Sequence, residues 1–256
     1  MNLARRYVEK PWGRDRLPAG FDPPEGKRIG EVWFEGAPDL PLLAKYLFTS
    51  EKLSVQVHPD DERARAMGLP GGKNECWYVL DAEPGASIGL GLTRQMSAEE
   101  LRASAVDGSI EQLLDWREVR AGDFYYVPAG TIHAIGGGLA LLEFQQNSDV
   151  TFRLYDYGRP RELHLDESIA VAKRGPYGEN VQHLAGDQDR VLVEGPAFSL
   201  VLSGDNVLRD RQRWVLPLDG QVRSGEDVAG AGECLLLEPG DRLESDGARI
   251  LIGAKA

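Results

Sequence analysis

Two histidines, a glutamate and a glutamine are the residues of this chain whose types and spacing could do chemistry. In the segment LSVQVHPDD, residues 53–61, Ser54, Gln56 and His58 are two apart. Residues two apart on an extended strand share a face, so these polar groups line one surface while Val55 and Val57 point to the other. The segment KNECWYVL repeats the spacing, with Lys73 and Glu75 on one face where the chain enters a run rich in Trp, Tyr and Val. In AGDFYYVPAGTIHAIGGG a strand, a turn at Pro128-Ala129-Gly130 and a returning strand send His133 back toward whatever the sheet encloses. Gln56, His58, Glu75 and His133 together offer two imidazoles, a carboxylate and an amide oxygen. Two His and one Glu with further positions open suit a catalytic zinc better than a closed structural one. Manganese or iron accepts the same nitrogen and oxygen donors.

Such a set must be held by strands, and the sequence supplies them. Its 30 glycines and 15 prolines recur between short apolar runs, a punctuation that favours a β-sandwich or barrel over a helical bundle. Strands are expected at 29–34, 53–57, 76–80, 87–90, 123–127, 140–144 and 151–154, where aliphatic, aromatic and threonine residues suit a half-buried pleated surface. One stretch breaks the pattern. Ser97 stands three residues before Glu100, a capping box, and apolar residues then recur at helical spacing. One or two helices are expected over 98–116, interrupted near Asp107-Gly108, and another over about 166–172. From about Val181 the chain turns hairpin-like again in VLVEG, FSLVLSGDN, RWVLPLDGQV and ECLLLEPGD, with a turn signal at Asp219-Gly220.

Composition narrows the functions. A formal charge of −12 argues against a nucleic-acid reader, which gains affinity from a basic stripe. No run of 18 apolar residues exists and MNLARRYVEKPWGRDRLP lacks an apolar leader, so no membrane span is expected and the cytoplasm is the default. Cys76 and Cys234 are too few for a disulfide scaffold or a Cys-rich zinc module and fit a reducing compartment.

The segment 122–133, with Gly122 followed by Pro128-Ala129-Gly130 and His133, resembles the second motif of the cupins. More narrowly, Lys10-Pro11-Trp12-Gly13, Ile29-Gly30-Glu31-Val32-Trp33, SVQVHPDD, Lys73-Asn74-Glu75, PAGTIHAIG and QNSDVTFRLYDYGR resemble, in order, the short bacterial type I phosphomannose isomerases. The resemblance runs from about Tyr7 to about Arg174. It implies a mainly β fold, a cupin-type jelly-roll barrel with a small helical insertion at about 95–118. Residues 1–178 would form the metal-binding domain; strand patterning alone expects a second, cupin-like β region over 179–256, without a metal motif.

The resemblance further implies one Zn2+ per chain, or another divalent ion, held by Gln56, His58, Glu75 and His133. It makes Arg153, Lys73 and Glu143 catalytic and sets Lys45 and Ser54 near a substrate phosphate. The implied reaction interconverts mannose 6-phosphate and fructose 6-phosphate through an enediol(ate), with either Lys73 or Glu143 as the base. Arg153 cannot serve as one, because a guanidinium does not deprotonate in proteins. The expected partner is a small sugar phosphate, with no nucleic acid or membrane, and the chain is expected as a monomer or homodimer. Two alternatives stand beside this reading: another metal cupin enzyme, either a different sugar isomerase or a dioxygenase, and a non-catalytic sugar-binding cupin. His164 and His183, outside the motifs, are expected in packing or surface roles.

Overall fold

The computed structural model describes residues 1–184, 189–203 and 206–256. Residues 185–188 and 204–205, within the expected C-terminal β region, lie outside the described residues. The chain begins with β1 (Ala4–Arg14), β2 (Ile29–Glu35), β3 (Leu42–Phe48) and β4 (Val55–Val57), then the short helix α1 (Asp61–Ala66). β5 (Glu75–Ala82) and β6 (Ser87–Leu92) precede the helices α2 (Ala98–Asp107) and α3 (Ile110–Leu113). β7 (Leu114–Glu118), β8 (Asp123–Val127), β9 (His133–Ile135), β10 (Leu139–Gln146) and β11 (Phe152–Tyr155) follow, then α4 (Leu165–Val171) and β12 (Gln182–His183). The remainder is β13 (Arg190–Glu194), β14 (Phe198–Ser203), β15 (Arg213–Pro217), β16 (Gln221–Ser224), β17 (Asp227–Gly230), β18 (Leu235–Leu237), β19 (Glu244–Ser245) and β20 (Ile250–Lys255).

The strands form four antiparallel sheets in layers. A seven-stranded sheet, order β1-β2-β3-β10-β5-β8-β12, faces a five-stranded one, order β11-β4-β9-β6-β7, across the interior of the jelly-roll barrel. A second five-stranded sheet, order β13-β14-β20-β15-β18, covers the other face of the seven-stranded sheet and is backed by β17-β16-β19. The layering follows from strand alternation. On β5, Trp77 and Val79 join the apolar cluster inside the barrel, whereas Cys76 and Tyr78 join the cluster shared with the C-terminal strands. On β15, Trp214 and Leu216 face that shared cluster while Val215 turns to the outermost sheet. The helices close the remaining side, where Leu101, Ala105 and Ile110 pack with Val55, Val57 and Leu154 of the smaller barrel sheet.

The helical insertion shows how local signals are read and overruled. Ser97 accepts from the Glu100 amide at 3.1 Å while its own amide donates to Glu100 Oε2 at 2.8 Å, completing the capping box. Gly108, at φ 81°, ends α2 in the left-handed conformation that suits glycine. The helical expectation runs to Trp116, but the chain extends at Leu114 and pairs Leu114 with Leu92 and Trp116 with Gly89 of β6. Pairing satisfies backbone groups that the edge of β6 would otherwise leave open, and it outweighs helical periodicity. The strands β1 and β3 and the helix α1 were not among the expected elements. α1 is capped by Asp60, whose carboxylate accepts from the Arg63 amide at 2.8 Å.

Candidate metal centre and active site

Two rows of side chains face each other inside the barrel. The first crosses the smaller sheet: Arg153 on β11 is in register with Gln56 on β4, which is in register with His133 on β9. The second crosses the larger sheet, where Glu143 on β10 is in register with Lys45 on β3 and with Trp77 on β5. Glu75, at the start of β5, and His58, just beyond β4, complete the floor.

His58, Glu75 and His133 gather their donor atoms within 4.8 Å of one another, and each is buried. His58 Nδ1 lies 2.8 Å from the Val150 carbonyl and His133 Nδ1 lies 2.9 Å from that of Thr131. A carbonyl only accepts, so both Nδ1 atoms carry the proton and both Nε2 atoms are left bare, pointing to Glu75 at 3.5 Å and 3.3 Å. Burial pushes the His58 imidazole well below its usual range and the nearby Lys73 charge adds to this. Burial also lowers His133, against the opposing pull of Glu75. Both rings are therefore neutral, the form that ligates a metal. Burial raises the Glu75 carboxyl, but the Lys73 ammonium beside it outweighs this and holds Glu75 below its usual range. Two unprotonated imidazole nitrogens and a buried carboxylate, converging within 4.8 Å, fit a divalent cation, and the His2Glu set is one that zinc uses. Gln56 stands beside them, its amide nitrogen 3.2 Å from His133 Nε2 and its oxygen accepting from Ser54 Oγ at 3.2 Å.

A cavity of about 250 Å³ opens onto this centre. Its wall includes Lys45, Ser54, Gln56, Lys73, Glu75, Glu143 and Arg153. Lys73 Nζ lies 2.6 Å from Glu75 Oε2, 3.4 Å from Glu143 Oε1 and 3.3 Å from His58 Nε2. Burial, reinforced by the Glu75 charge, lifts the Glu143 carboxyl above its usual range. Arg153 donates through Nη1 to the Glu162 carbonyl at 2.8 Å, and its buried Nε has no hydrogen-bond partner among the described residues. His164, expected in a packing or surface role, accepts from the Arg153 backbone amide at 3.2 Å and so fastens β11. His183 pairs with Asp123 at 2.8 Å, on the outer strand β12, away from the cavity wall.

The cavity also takes in residues that sequence reasoning left without a role: Lys10, Trp12, Glu31, Asp149, Thr151 and Arg161. Arg161 is held in a two-pronged pair by the buried Asp156, at 2.5 Å and 2.8 Å. Lys10 and Glu31 were visible only as parts of short motifs, Lys10 among the five charged residues of β1 and Glu31 beside Glu35 on β2.

The comparisons with known proteins agree with this geometry. Over 225 residues the chain is 40% identical to the probable mannose-6-phosphate isomerase GmuF of Bacillus subtilis, covering 79% of this chain and 70% of that protein. It is 41% identical over 206 residues to mannose-6-phosphate isomerase ManA of the same organism and 44% identical over 169 residues to the mannose-6-phosphate isomerase of Streptococcus mutans. The chain spans 65% and 53% of the lengths of those two proteins. The solved structure of a mannose 6-phosphate isomerase from Bacillus subtilis superposes with a TM-score of 0.79 at 27% identity, covering 98% of each chain. A zinc-bound mannose 6-phosphate isomerase shares the fold, with a TM-score of 0.74 at 15% identity over 99% of this chain and 98% of that one. No family model matches the sequence.

Proposed function

The chain belongs to the mannose-6-phosphate isomerase family, and on that premise we propose that it interconverts mannose 6-phosphate and fructose 6-phosphate as a metal-dependent aldose-ketose isomerase. The observation that carries the proposal is one arrangement: Glu75 of the buried His58, Glu75 and His133 triad lines a cavity together with Lys73, Glu143 and Arg153. The metal is zinc, one per chain, held by the triad with Gln56 beside it. Bound there, it supplies Lewis-acid polarisation of a substrate oxygen.

The chain's own groups account for the rest. Isomerisation removes a proton from the carbon beside the carbonyl and returns it to the neighbouring carbon, through an enediol(ate). Lys73 and Glu143 are the two proton carriers within reach of one another, 3.4 Å apart. Burial brings Glu143 closer to neutrality, where a general base works best. Arg153, half-buried in the cavity wall, offers a cation fixed by its bond to the Glu162 carbonyl to the developing oxyanion. Lys45 and Ser54 border the sugar phosphate. Residues 1–178 form the metal-binding domain in this reading, and residues 179–256 support it from behind the larger sheet. No helix among the described residues is long and apolar enough to cross a membrane. Two buried, unpaired cysteines fit placement in the reducing cytoplasm.

A coupled assay for fructose 6-phosphate, run beside metal analysis, tests the proposal. Turnover that tracks zinc content and vanishes on exhaustive chelation is expected; full activity without metal overturns it, and sugar-phosphate binding without turnover makes the protein a binder. Arg153→Ala should lower kcat by about 10²- to 10³-fold with metal retained, whereas a rise in KM alone reassigns Arg153 to uniform binding. Solvent deuterium exchange at C2 in Lys73→Met and Glu143→Gln identifies the base as the residue whose loss stops it.

A further inference from the structure

Six ionisable side chains cross the larger barrel sheet in a line of alternating sign. Lys10 Nζ lies 3.3 Å from Glu31 Oε2, and Glu31 Oε1 lies 3.7 Å from Lys45 Nζ. Lys45 Nζ continues to Glu143 Oε1 at 3.2 Å, Glu143 to Lys73 at 3.4 Å and Lys73 to Glu75 at 2.6 Å. The order is that of the strands: Lys10 on β1, Glu31 on β2, Lys45 on β3, Glu143 on β10 and Glu75 on β5, with Lys73 just before it. From Lys10 to Glu143 each charge stands on the next strand of the sheet, and Lys73 and Glu75 stand together at the start of β5. All but Lys10 are less than a tenth exposed.

Glu31 is the junction of this line. Its Oε2 accepts from Trp33 Nε1 at 2.8 Å and meets Lys10, while its Oε1 meets Lys45. Lys45 has no other carboxylate partner except Glu143 among the described residues. With one neighbour removed, a long ammonium side chain is free to leave the other. We propose that Glu31 is a positioning residue that acts through Lys45, holding that ammonium against Glu143 and so fixing the proton-handling end of the cavity. The proposal rests on the isomerase reading and adds to it a residue that does not itself touch the reacting atoms.

The test uses the full-length, zinc-loaded protein. Glu31→Gln keeps the shape and removes the charge; kcat should fall by about tenfold, the scale of one coupled pair, with bound zinc unchanged. Glu31→Asp, which keeps the charge, should recover part of the loss. The double variant Glu31→Gln, Lys45→Met should turn over no more slowly than Lys45→Met alone. Independently of turnover, the rate at which a small amine-reactive reagent modifies Lys45, read by peptide mass, should rise about tenfold in Glu31→Gln as the nearby negative charge is lost. Parental kcat, a change in KM alone, or additive losses in the double variant overturn the proposal. If the parent itself does not isomerise mannose 6-phosphate the functional reading falls, and the Lys45 labelling rate still decides whether Glu31 clamps that side chain, an unchanged rate overturning it.

Discussion

The two faces of the seven-stranded sheet carry opposite chemistry on the same strands. Along β10, Leu142 and Phe144 enter the cluster shared with the C-terminal strands, while Leu141 and Glu143 point into the barrel. Along β3, Ala44, Tyr46 and Phe48 face the first way and Lys45 the second. The outer face is dry and aromatic: Phe144 meets Phe198 edge to face, with ring centroids 5.2 Å apart, and Trp214 at 6.2 Å. The inner face sets a line of charges and a metal centre beside a cavity. Burying charge costs free energy even when every charge is paired, whereas apolar burial yields it without directional demands. The sheet is thus stabilised from one side so that the other can hold an arrangement that would not stabilise a fold by itself.

The largest expected effect comes from the inner face. Glu75→Ala or His133→Ala should remove bound zinc and lower turnover by roughly 10³-fold or more, the scale of losing a preorganised electrostatic group. Thermal unfolding, compared between the metal-free forms of variant and parent, should change little; a collapse of the fold would show that the two faces are not separable. The mirror experiment is Phe144→Ala, which should cost about 3–5 kcal/mol in urea unfolding. At temperatures where it stays folded, kcat and zinc content should match the parent, and a selective loss of kcat would break the division of labour.

Glu31 tests the comparison at an intermediate scale. Burial raises its carboxyl, but Lys45 and Lys10 more than reverse this and hold it at about 2, from an ordinary 4.5. Because the folded value is depressed, the stabilisation is fully present above pH 4.5 and is lost as pH falls toward about 2. The shift corresponds to about 3 kcal/mol. The difference in unfolding free energy between the parent and Glu31→Gln should therefore be near its full size at pH 6 and shrink steadily below pH 4.5. A difference that stays constant down to pH 3 would show that the two ammonium groups do not hold the carboxylate.

The His58, Glu75 and His133 cluster was readable from the sequence because each of its parts sits in a local motif. A two-residue period put Gln56 and His58 on one face, and the Pro-Ala-Gly turn returned His133 toward them. Glu31 and Lys10 were not readable as site residues, since a charge on a strand that carries other charges, five on β1 and two on β2, resembles a solvent-facing position until its neighbours are known. Those neighbours are distant in sequence: Lys45 meets Glu143 because β10 inserts between β3 and β5. The same non-local pairing ended the insertion's helices at Leu113 rather than Trp116. Arg161 escaped notice for a related reason, because its place in the cavity wall depends on Asp156 in a loop without periodicity.

The smallest expected effect concerns how tightly the dry face is closed. Gly253 lies on β20, between Leu200 of β14 and Trp214 of β15, and an added Cβ would stand 2.3 Å from Phe144 Cζ and 2.5 Å from its Cε1. The absence of a side chain there lets the Phe144 ring rest directly on the backbone of the facing sheet. Gly253→Ala must push the ring away, and Phe198 and Trp214 hold it from the sides, so the variant should lose about 1–3 kcal/mol in urea unfolding by overpacking. Since Phe144 neighbours Glu143 on the same strand, any displacement that passed through β10 would surface as a changed kcat at unchanged zinc content. Loss of stability with kcat intact would show that β10 insulates its two faces; a matching loss in both would show that the aromatic layer sets the position of Glu143.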